Sequence, residues 1–256
     1  MKTITLLTDF GLKDPYIGIM KGVILSIFPE VRIIDISHEV DPQDVREGAF
    51  IIEEYYRYFE KGTIHAAVVD PTVGSDRRPI IFGKGGYFFI GPDNGLFTLT
   101  YDDTALVYTI ENSRYMGKKI SPTFHGRDIF APAAAYLASG VQVSSFGSLV
   151  QDPVCLPGIY PVIEENILKG EIVRFDRFGN GITNIAQIAI DDFTQQKACT
   201  VEFHGMLFRK IQKSYYEGDV APLIGSSGYL EFGYFKGNLR EKLGLKKGEQ
   251  VTIRIS

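Results

Sequence analysis

Apolar positions in the first half of the chain fall into two alternating patterns, short β-branched runs and longer amphipathic stretches. Strands that alternate with helices in this way pair in parallel through right-handed crossovers. We therefore expect an α/β fold with an N-terminal, mainly parallel sheet that is flanked by helices. The predicted strands are 4–8, 31–36 and 63–69, and the predicted helices are 16–28, 44–59 and 127–140.

Two apolar runs near the middle of this region flank Gly85-Gly86, which predicts a hairpin. The pattern changes within 151–167, where three prolines occur and no period is evident. Short strand-like runs then alternate with turn residues, without a stretch of helical length, which predicts a smaller C-terminal antiparallel β-barrel. The expected division is an α/β domain over 1–155, a linker over 156–168 and a β-barrel domain over 169–256.

Charge and composition narrow the class of partner. The chain has 27 basic and 31 acidic residues, a net charge of −4 and no Lys/Arg-rich run, so a nucleic-acid partner is disfavoured. The N-terminal apolar stretch is interrupted by Asp9, and no segment reaches membrane-spanning length, so we expect a cytoplasmic protein without a membrane partner. Cys155 and Cys199 are far apart and lack zinc-type spacing, so both are expected to be small buried residues.

Polar residues follow the predicted strands at the point where each strand ends. Because the carboxyl ends of parallel strands line one crevice, these side chains are expected to converge there. Asp70 is the most informative of them, since it ends a buried strand and Arg77 follows in a Pro/Gly turn. Asp and Asn also begin turns and cap helices, and for any one of the others that alternative is favoured. The full set is Thr8-Asp9, Ser37-His38, Asp70 and Pro92-Asp93-Asn94.

His125 comes just before the predicted helix 127–140. A helix dipole lowers the pKa of a histidine at that end, so His125 is expected to be neutral and to act as a general base or as a hydrogen-bond partner of water. A structural role at the helix entry is the alternative, and His65 and His204 are expected to be structural. A metal site is not favoured, because the candidate ligands have no HxH or HExxH spacing. Those ligands are Asp9, His38, Asp70, His125 and Asp128.

The barrel region carries a second group of candidates. Within 174–185, Asp176 and Asn180 flank an aromatic-glycine turn and can bind amine or hydroxyl groups, while Phe175 and Phe178 offer apolar surface. An ordinary Asn-Gly hairpin turn is the alternative. Small residues stand beside aromatic ones in 225–238, which suits either close approach to a flat ring or an ordinary barrel bend.

Six motifs of the chain occur in the order seen in one enzyme family. They are TDFG with Asp14 following, DPTVG with Arg77, GPDNG, FHGRDIFAP, FDRFGNGITN and SSGYLEFGYF. In these motifs the chain resembles the S-adenosyl-L-methionine hydroxide adenosyltransferases, which are relatives of fluorinases and chlorinases. The resemblance implies an N-terminal α/β domain, a C-terminal β-barrel and a homotrimer whose active sites lie between subunits. It also implies hydrolysis of a small-molecule substrate, S-adenosyl-L-methionine, to adenosine and L-methionine, with no cofactor and no metal.

The resemblance also implies roles for particular residues. Asp70, Arg77 and His125 match the group that activates water for in-line attack at the ribose C5′. Asp9 matches the carboxylate that holds the ribose hydroxyls, and Asp14 belongs to the same substrate-binding motif. The other substrate-binding positions are Asp176 and Ser226 near the methionine moiety, Asn180 at the adenine end, and Glu231 and Tyr234 in the adenine-side barrel motif.

Water rather than halide is the expected nucleophile. The halogenating relatives carry other residues at the positions of Asp70 and His125, and the fluorinase has a long insertion after the position of Arg78 that this chain lacks. A halogenase that forms 5′-halo-adenosine is one alternative, and a non-catalytic sensor of S-adenosyl-L-methionine or adenosine is another. Thr72 stands where the hydrolases usually have glycine, and a β-branched residue there is expected to strain the turn before Arg77.

Overall fold

The computed structural model describes residues 1–255, and the chain divides into two units, Met1–Leu156 and Pro157–Ser256. The strands of the first unit are β1 (Thr3–Thr8), β2 (Arg32–Ser37), β3 (Ile64–Val68), β4 (Pro79–Lys84), β5 (Tyr87–Pro92) and β6 (Leu106–Thr109). They form one sheet in the order β2-β1-β3-β5-β4-β6, in which β2, β1, β3 and β5 are parallel. β4 runs antiparallel to β5 and β6. The predicted α/β class and the predicted hairpin are both confirmed.

Two helices of the first unit differ in extent from their predictions. The helix predicted over 44–59 ends at Tyr55 and continues as a 3-10 turn, Tyr56–Tyr58. The helix predicted over 127–140 opens with a π-helical turn, Gly126–Phe130, a geometry that is frequent at functional sites. The α-helices are α1 (Tyr16–Ile27), α2 (Val45–Tyr55) and α3 (Ala131–Ala138).

Alternate residues of the central strands pack on opposite faces of the first sheet. Ile4 and Leu6 of β1 belong to one cluster of buried apolar residues, together with Met20 of α1. Leu7, the next residue of β1, belongs to another cluster with Ile52 of α2. Because apolar side chains cover both faces, polar groups can reach a ligand only where the strands end.

The second unit is built from antiparallel strands with two short helices between them. A bridge between Gln212, which follows the fifth of these strands, and Leu223 of the sixth brings the two ends of the sheet together. The predicted C-terminal antiparallel barrel is therefore confirmed. The elements are β7 (Val162–Glu164), β8 (Ile167–Phe175), β9 (Gly181–Ala186), α4 (Gln187–Thr194), β10 (Cys199–Phe203), β11 (Met206–Phe208), β12 (Val220–Ile224), β13 (Tyr229–Tyr234), α5 (Leu239–Leu243) and β14 (Gln250–Ile255). The strand order is β11-β10-β14-β8-β9-β13-β12, with β7 paired to β8.

Some details of the second half differ from the sequence-based expectations. The segment 156–168, predicted to be a linker, contains β7 and the start of β8. Helices α4 and α5 interrupt a region expected to hold none, because their eight and five residues are too few to show a helical period. Cys155 is exposed and Cys199 is half-buried, so the expectation that both are buried is wrong. The three-part division of the chain stays a prediction.

Among residues 1–255, every helix is too short or too polar to span a lipid bilayer.

His65 lies in β3 inside an aromatic enclosure. Its side chain is fully buried, and its Nδ1 atom lies 2.9 Å from Thr5 Oγ1. The rings of Tyr55, Tyr56 and Phe89 surround it, with centroids 5.4, 6.2 and 5.3 Å away. Burial disfavours the imidazolium and lowers the pKa of His65 to about 3. His65 is therefore a neutral core residue.

We expect the buried His65 to make the fold sensitive to acid. In the unfolded chain His65 binds a proton below its ordinary pKa of 6.5, whereas in the folded chain it stays neutral down to about pH 3. The free energy of unfolding should therefore fall, through this residue, by about 1.4 kcal/mol per pH unit between about pH 6 and about pH 4. Urea denaturation of the wild-type and His65→Phe proteins measures the effect, since phenylalanine keeps the aromatic bulk without a titratable group. A stability difference between the two proteins that is constant over this range would contradict the prediction.

Candidate active site

Asp70 and Arg77 form a buried ion pair at the carboxyl end of β3. Arg77 Nε donates to Asp70 Oδ1 and Oδ2 at 3.0 and 2.9 Å, and Arg77 Nη2 also donates to Oδ2. The side chains of Arg77 and Asp70 are 7% and 4% exposed, respectively. Charges that are shielded from water attract more strongly, and the planar fork of donors fixes the geometry of the pair. The two residues predicted from the strand-end pattern are thus in direct contact.

His125 completes a group of three side chains. Arg77 Nη2 lies 2.8 Å from His125 Nδ1. Because a guanidinium has only donors, Nδ1 must be the acceptor, and the neutral ring then carries its proton on Nε2. Burial lowers the pKa of His125, and the positive charge of Arg77 lowers it further. The ring is neutral, as expected, and burial and the charge of Arg77 are the causes.

The third nitrogen of the Arg77 guanidinium differs from the other two in its hydrogen bonding. Arg77 Nη1 is buried and has no hydrogen-bond partner within the described part of the chain. The ring of Phe130 covers the guanidinium, with its centroid 5.3 Å from Cζ. Buried N–H groups are almost always hydrogen-bonded, to water where protein offers no partner. Among the described residues, Nη1 is therefore the donor of this guanidinium that remains for a further hydrogen bond.

The turn between Asp70 and Arg77 accommodates Thr72 without strain. Ser75 N donates to Thr72 O at 3.1 Å, so Thr72 lies inside the turn. Thr72 is not one of the non-glycine residues with positive φ within 1–255, so the strain expected there is wrong. The left-handed position of this turn is Gly74, whose φ is 82°.

Asp9 lies at the same end of the sheet as Asp70. It follows β1, which is paired in parallel with β3. Its Oδ2 atom accepts a hydrogen bond from Gln43 N at 2.8 Å. Burial raises the pKa of Asp9, the hydrogen bond from Gln43 opposes the shift, and the negative charge of Asp70 adds to it. Asp14, in contrast, is exposed in the loop before α1.

Other strand-end residues have structural partners. Asp93 is buried, accepts from Arg78 Nε at 2.8 Å, and accepts from Val154 N at 2.8 Å. His38 is also buried, and its Nδ1 atom lies 2.9 Å from Thr8 Oγ1. These contacts fasten loops to the sheet, so the structural alternative fits Asp93 and His38.

In the second unit, Asp176 organises the turn between β8 and β9. Its Oδ1 atom accepts from Phe178 N at 2.9 Å and from Asn180 N at 2.8 Å. Its Oδ2 atom accepts from Asn180 Nδ2 at 2.9 Å. A carboxylate that accepts three hydrogen bonds holds such a turn in one shape. Two of the predicted substrate-binding residues are therefore held together.

Tyr215 links this turn to Glu231 on β13. Its hydroxyl donates to Glu231 Oε1, and Asn180 Nδ2 lies 3.5 Å from the same hydroxyl. Burial raises the pKa of Tyr215, and the Glu231 carboxylate raises it further, so the phenol keeps its proton. Tyr215 was not among the predicted residues, because it lies in a 3-10 turn, Tyr215–Glu217, outside every motif.

A cavity of about 870 Å³ lies beside this network. Phe178 and Tyr216 line it and are 73% and 80% exposed, so aromatic surface is available for stacking. The volume and the mixed lining are typical of a small-molecule site. All five residues predicted for substrate binding in the second half also line it, namely Asp176, Asn180, Ser226, Glu231 and Tyr234.

The five side chains considered as metal ligands have other partners or neighbours. Within residues 1–255, the potential ligand group whose atoms lie within 4.8 Å of one another is Asp41, Asp44 and Glu47, at the start of α2. Glu47 N donates to Asp44 Oδ1 at 2.9 Å, so part of this group caps the helix. An acidic cluster of this kind is common without an ion.

Comparison with known proteins gives matches over both units. The model of the SAM hydroxide adenosyltransferase N-terminal domain matches residues 4–147, and that of the C-terminal domain matches residues 170–252. The chain is 36% identical to the (R)-S-adenosyl-L-methionine hydrolase of Thermus thermophilus, over 99% of this chain and 100% of that protein. It is 35% identical to the (R)-S-adenosyl-L-methionine hydrolase of Methanocaldococcus jannaschii, over 98% of this chain and 95% of that protein.

Structural comparison agrees with these matches. An uncharacterized conserved protein from Thermotoga maritima has a TM-score of 0.88 at 33% identity, covering 98% of this chain and 99% of that chain. Fluorinases are more distant, since that of an Actinoplanes species is 27% identical over 98% of this chain and 96% of that protein. The chain belongs to the SAM hydroxide adenosyltransferase family, as its six motifs indicate.

Removal of the Arg77 charge should raise the pKa of His125. The guanidinium opposes protonation of the ring, and the Asp70 carboxylate favours it once it has lost its partner. NMR titration of the wild-type and Arg77→Gln proteins measures the shift. His204 is an internal control, because it is 40% exposed and lies in the second unit. A His125 pKa that stays constant or falls in the variant would show that Arg77 does not control the ring.

Proposed function

We propose that this chain hydrolyses S-adenosyl-L-methionine to adenosine and L-methionine. The observation that carries the proposal is the buried group in which Arg77 is held between the Asp70 carboxylate and the neutral His125 ring. Family membership over both units, and relatives named as S-adenosyl-L-methionine hydrolases, support the same activity.

The proposed reaction is a direct displacement. The oxygen of water forms a bond to the ribose C5′ while the C5′–S bond breaks, and the bonding electrons pass to sulfur. The sulfonium becomes a neutral thioether, so the leaving group needs no proton. The protein must instead hold the water in line with the breaking bond, and such positioning is worth roughly 7–11 kcal/mol of a barrier.

Each member of the group has one part in this step. Arg77 Nη1 holds the attacking oxygen, and its charge favours hydroxide character there. His125 accepts from Arg77 at Nδ1, so its Nε2–H donates to the same oxygen and orients it. Asp70 is the remaining base of the group and accepts the proton that the water loses. The geometry thus favours the hydrogen-bonding role of His125 over the general-base role.

The other predicted residues bind the substrate. Asp9 holds the ribose hydroxyls, and Asp14 contributes to the same part of the site. The negative charges of the Asp9 and Asp14 carboxylates suit a substrate that carries a sulfonium cation. No cofactor takes part, since the substrate itself supplies the leaving group. In the second unit, Asp176 and Ser226 bind the methionine moiety, and Asn180, Glu231 and Tyr234 bind the adenine.

A homotrimer with each site made by two subunits also belongs to the proposal. It is supported by family membership and by the distribution of the predicted residues over two separate units. Light scattering should give a mass three times that of the 28.6 kDa chain. The mass of a monomer would contradict this assembly. A cytoplasmic location stays a prediction.

The reaction is tested with S-adenosyl-L-methionine in oxygen-labelled water. Mass spectrometry should find the label in the 5′-hydroxyl of adenosine and none in methionine. Unlabelled adenosine would exclude attack of water at C5′. In parallel reactions with added chloride or fluoride, 5′-halo-adenosine would identify a halogenase, and tight binding without any product would identify a sensor.

Asp70→Asn should lower kcat by about 10²–10³-fold with a much smaller effect on KM. The change removes the proton acceptor and the partner of Arg77 but none of the groups assigned to substrate binding. Asp103→Asn is the control, because Asp103 is an exposed carboxylate of the same unit and should leave both constants unchanged. A rise in KM with kcat unchanged would assign Asp70 to substrate binding instead.

A further inference from the structure

The backbone of Gly74 packs against the backbone carbonyl of Pro122. A Cβ atom at Gly74 would lie 2.2 Å from Pro122 O, which is too close for any side chain. Gly74 precedes Arg77 by three residues, and Pro122 precedes His125 by three residues. The contact therefore joins the two segments whose side chains meet in the Arg77–His125 hydrogen bond of 2.8 Å.

Both segments are held in shape by hydrogen bonds of their own. In the first, Arg77 N donates to Ser75 Oγ at 3.3 Å. In the second, Asp128 Oδ2 accepts from Ser121 N at 2.8 Å, which fastens the start of this segment to the π-helical turn. Closely packed structure resists compression and transmits a local displacement to its neighbours. A group added at Gly74 would thus shift one whole segment relative to the other.

We propose that Gly74 is a positioning residue. It lets its turn pack directly against the Pro122 carbonyl, and this contact sets the distance between Arg77 and His125. This inference rests on the proposed function, because it assigns Gly74 to the same water-activating group. Asp70 and Arg77 lie on one segment, so their ion pair survives a change in spacing. The link from Arg77 to His125 crosses between the segments and is the part that Gly74 controls.

Two substitutions at Gly74 separate this contact from backbone strain. Gly74→Ala and Gly74→Asn both add a Cβ, but asparagine adopts the left-handed conformation much more readily than alanine. Each should lower kcat by about 100-fold with KM nearly unchanged, since a misplacement of about 1 Å costs that much. Gly85→Ala is the matched control, because Gly85 has a φ of 57° in the same unit and open space around its Cβ position. It should keep wild-type kinetics.

The pKa of His125 provides a second measurement. It should not change if Gly74 only stabilises the fold. The charges that act on this ring are those of Arg77, Asp70 and Asp128, and Arg77 has the largest effect of the three. Both Gly74 variants should move the Asp70–Arg77 pair away from the ring. The pKa of His125 should therefore rise in both. The Gly85→Ala protein should titrate like the wild type.

Pro122→Gly tests the same contact from the other segment, even if the Gly74 variants fail to fold. The substitution frees the backbone around the Pro122 carbonyl and should lower kcat with KM unchanged. Wild-type kinetics in Pro122→Gly or in folded Gly74→Asn, or an unchanged His125 titration in either, would overturn the proposal. If the wild-type protein formed no adenosine, the proposed function would fail, while the His125 titrations would still test the spacing.

Discussion

The structure around the first group of predicted residues depends on the buried Arg77 guanidinium. A buried charge is tolerated when it is paired, and removal of one partner of such a pair typically costs about 3–5 kcal/mol. Arg77 donates to Asp70 on its own turn and to His125 on a distant segment, so one cation connects the end of β3 to the start of the π-helical turn. The same contacts decide the chemistry, because they occupy the carboxylate, keep the imidazole neutral and leave Nη1 without a protein partner among residues 1–255.

The second unit holds its residues in a different way. Asp176, Asn180, Tyr215 and Glu231 form a chain of hydrogen bonds in which a phenol and an amide donate to two carboxylates. Such a chain fixes the positions of donors and acceptors, and it leaves negative charge beside a cavity of about 870 Å³. The Arg77 group of the first unit is therefore suited to polarising one oxygen atom. The hydrogen-bond chain of the second unit is suited to binding the polar groups of a small molecule.

Much of this arrangement could be predicted from the sequence, and the reasons for the failures are physical. Asp70 and Arg77 were predictable because a charged residue at the end of a buried strand interrupts a strong apolar pattern. Tyr215 was not, because a tyrosine in a short 3-10 turn has no periodic context, and its role arises from contacts with residues far along the chain. Thr72 was misjudged because the family pattern does not state which position of the turn is left-handed, and in this chain that position is Gly74. The assignment of individual residues to substrate groups stays a prediction.

The hydrogen bond at Nδ1 determines what the neutral ring of His125 can do. A neutral histidine with a free ring nitrogen can accept a proton from water. His125 instead uses Nδ1 to accept from Arg77, and its other nitrogen carries a hydrogen. Such a ring can orient an oxygen but has no lone pair to spare for its proton. The reaction can proceed without a strong base because the sulfonium is already an excellent leaving group. Activation then comes from a cation that stabilises negative charge on the attacking oxygen, a donor that orients it, and the Asp70 carboxylate that accepts its proton.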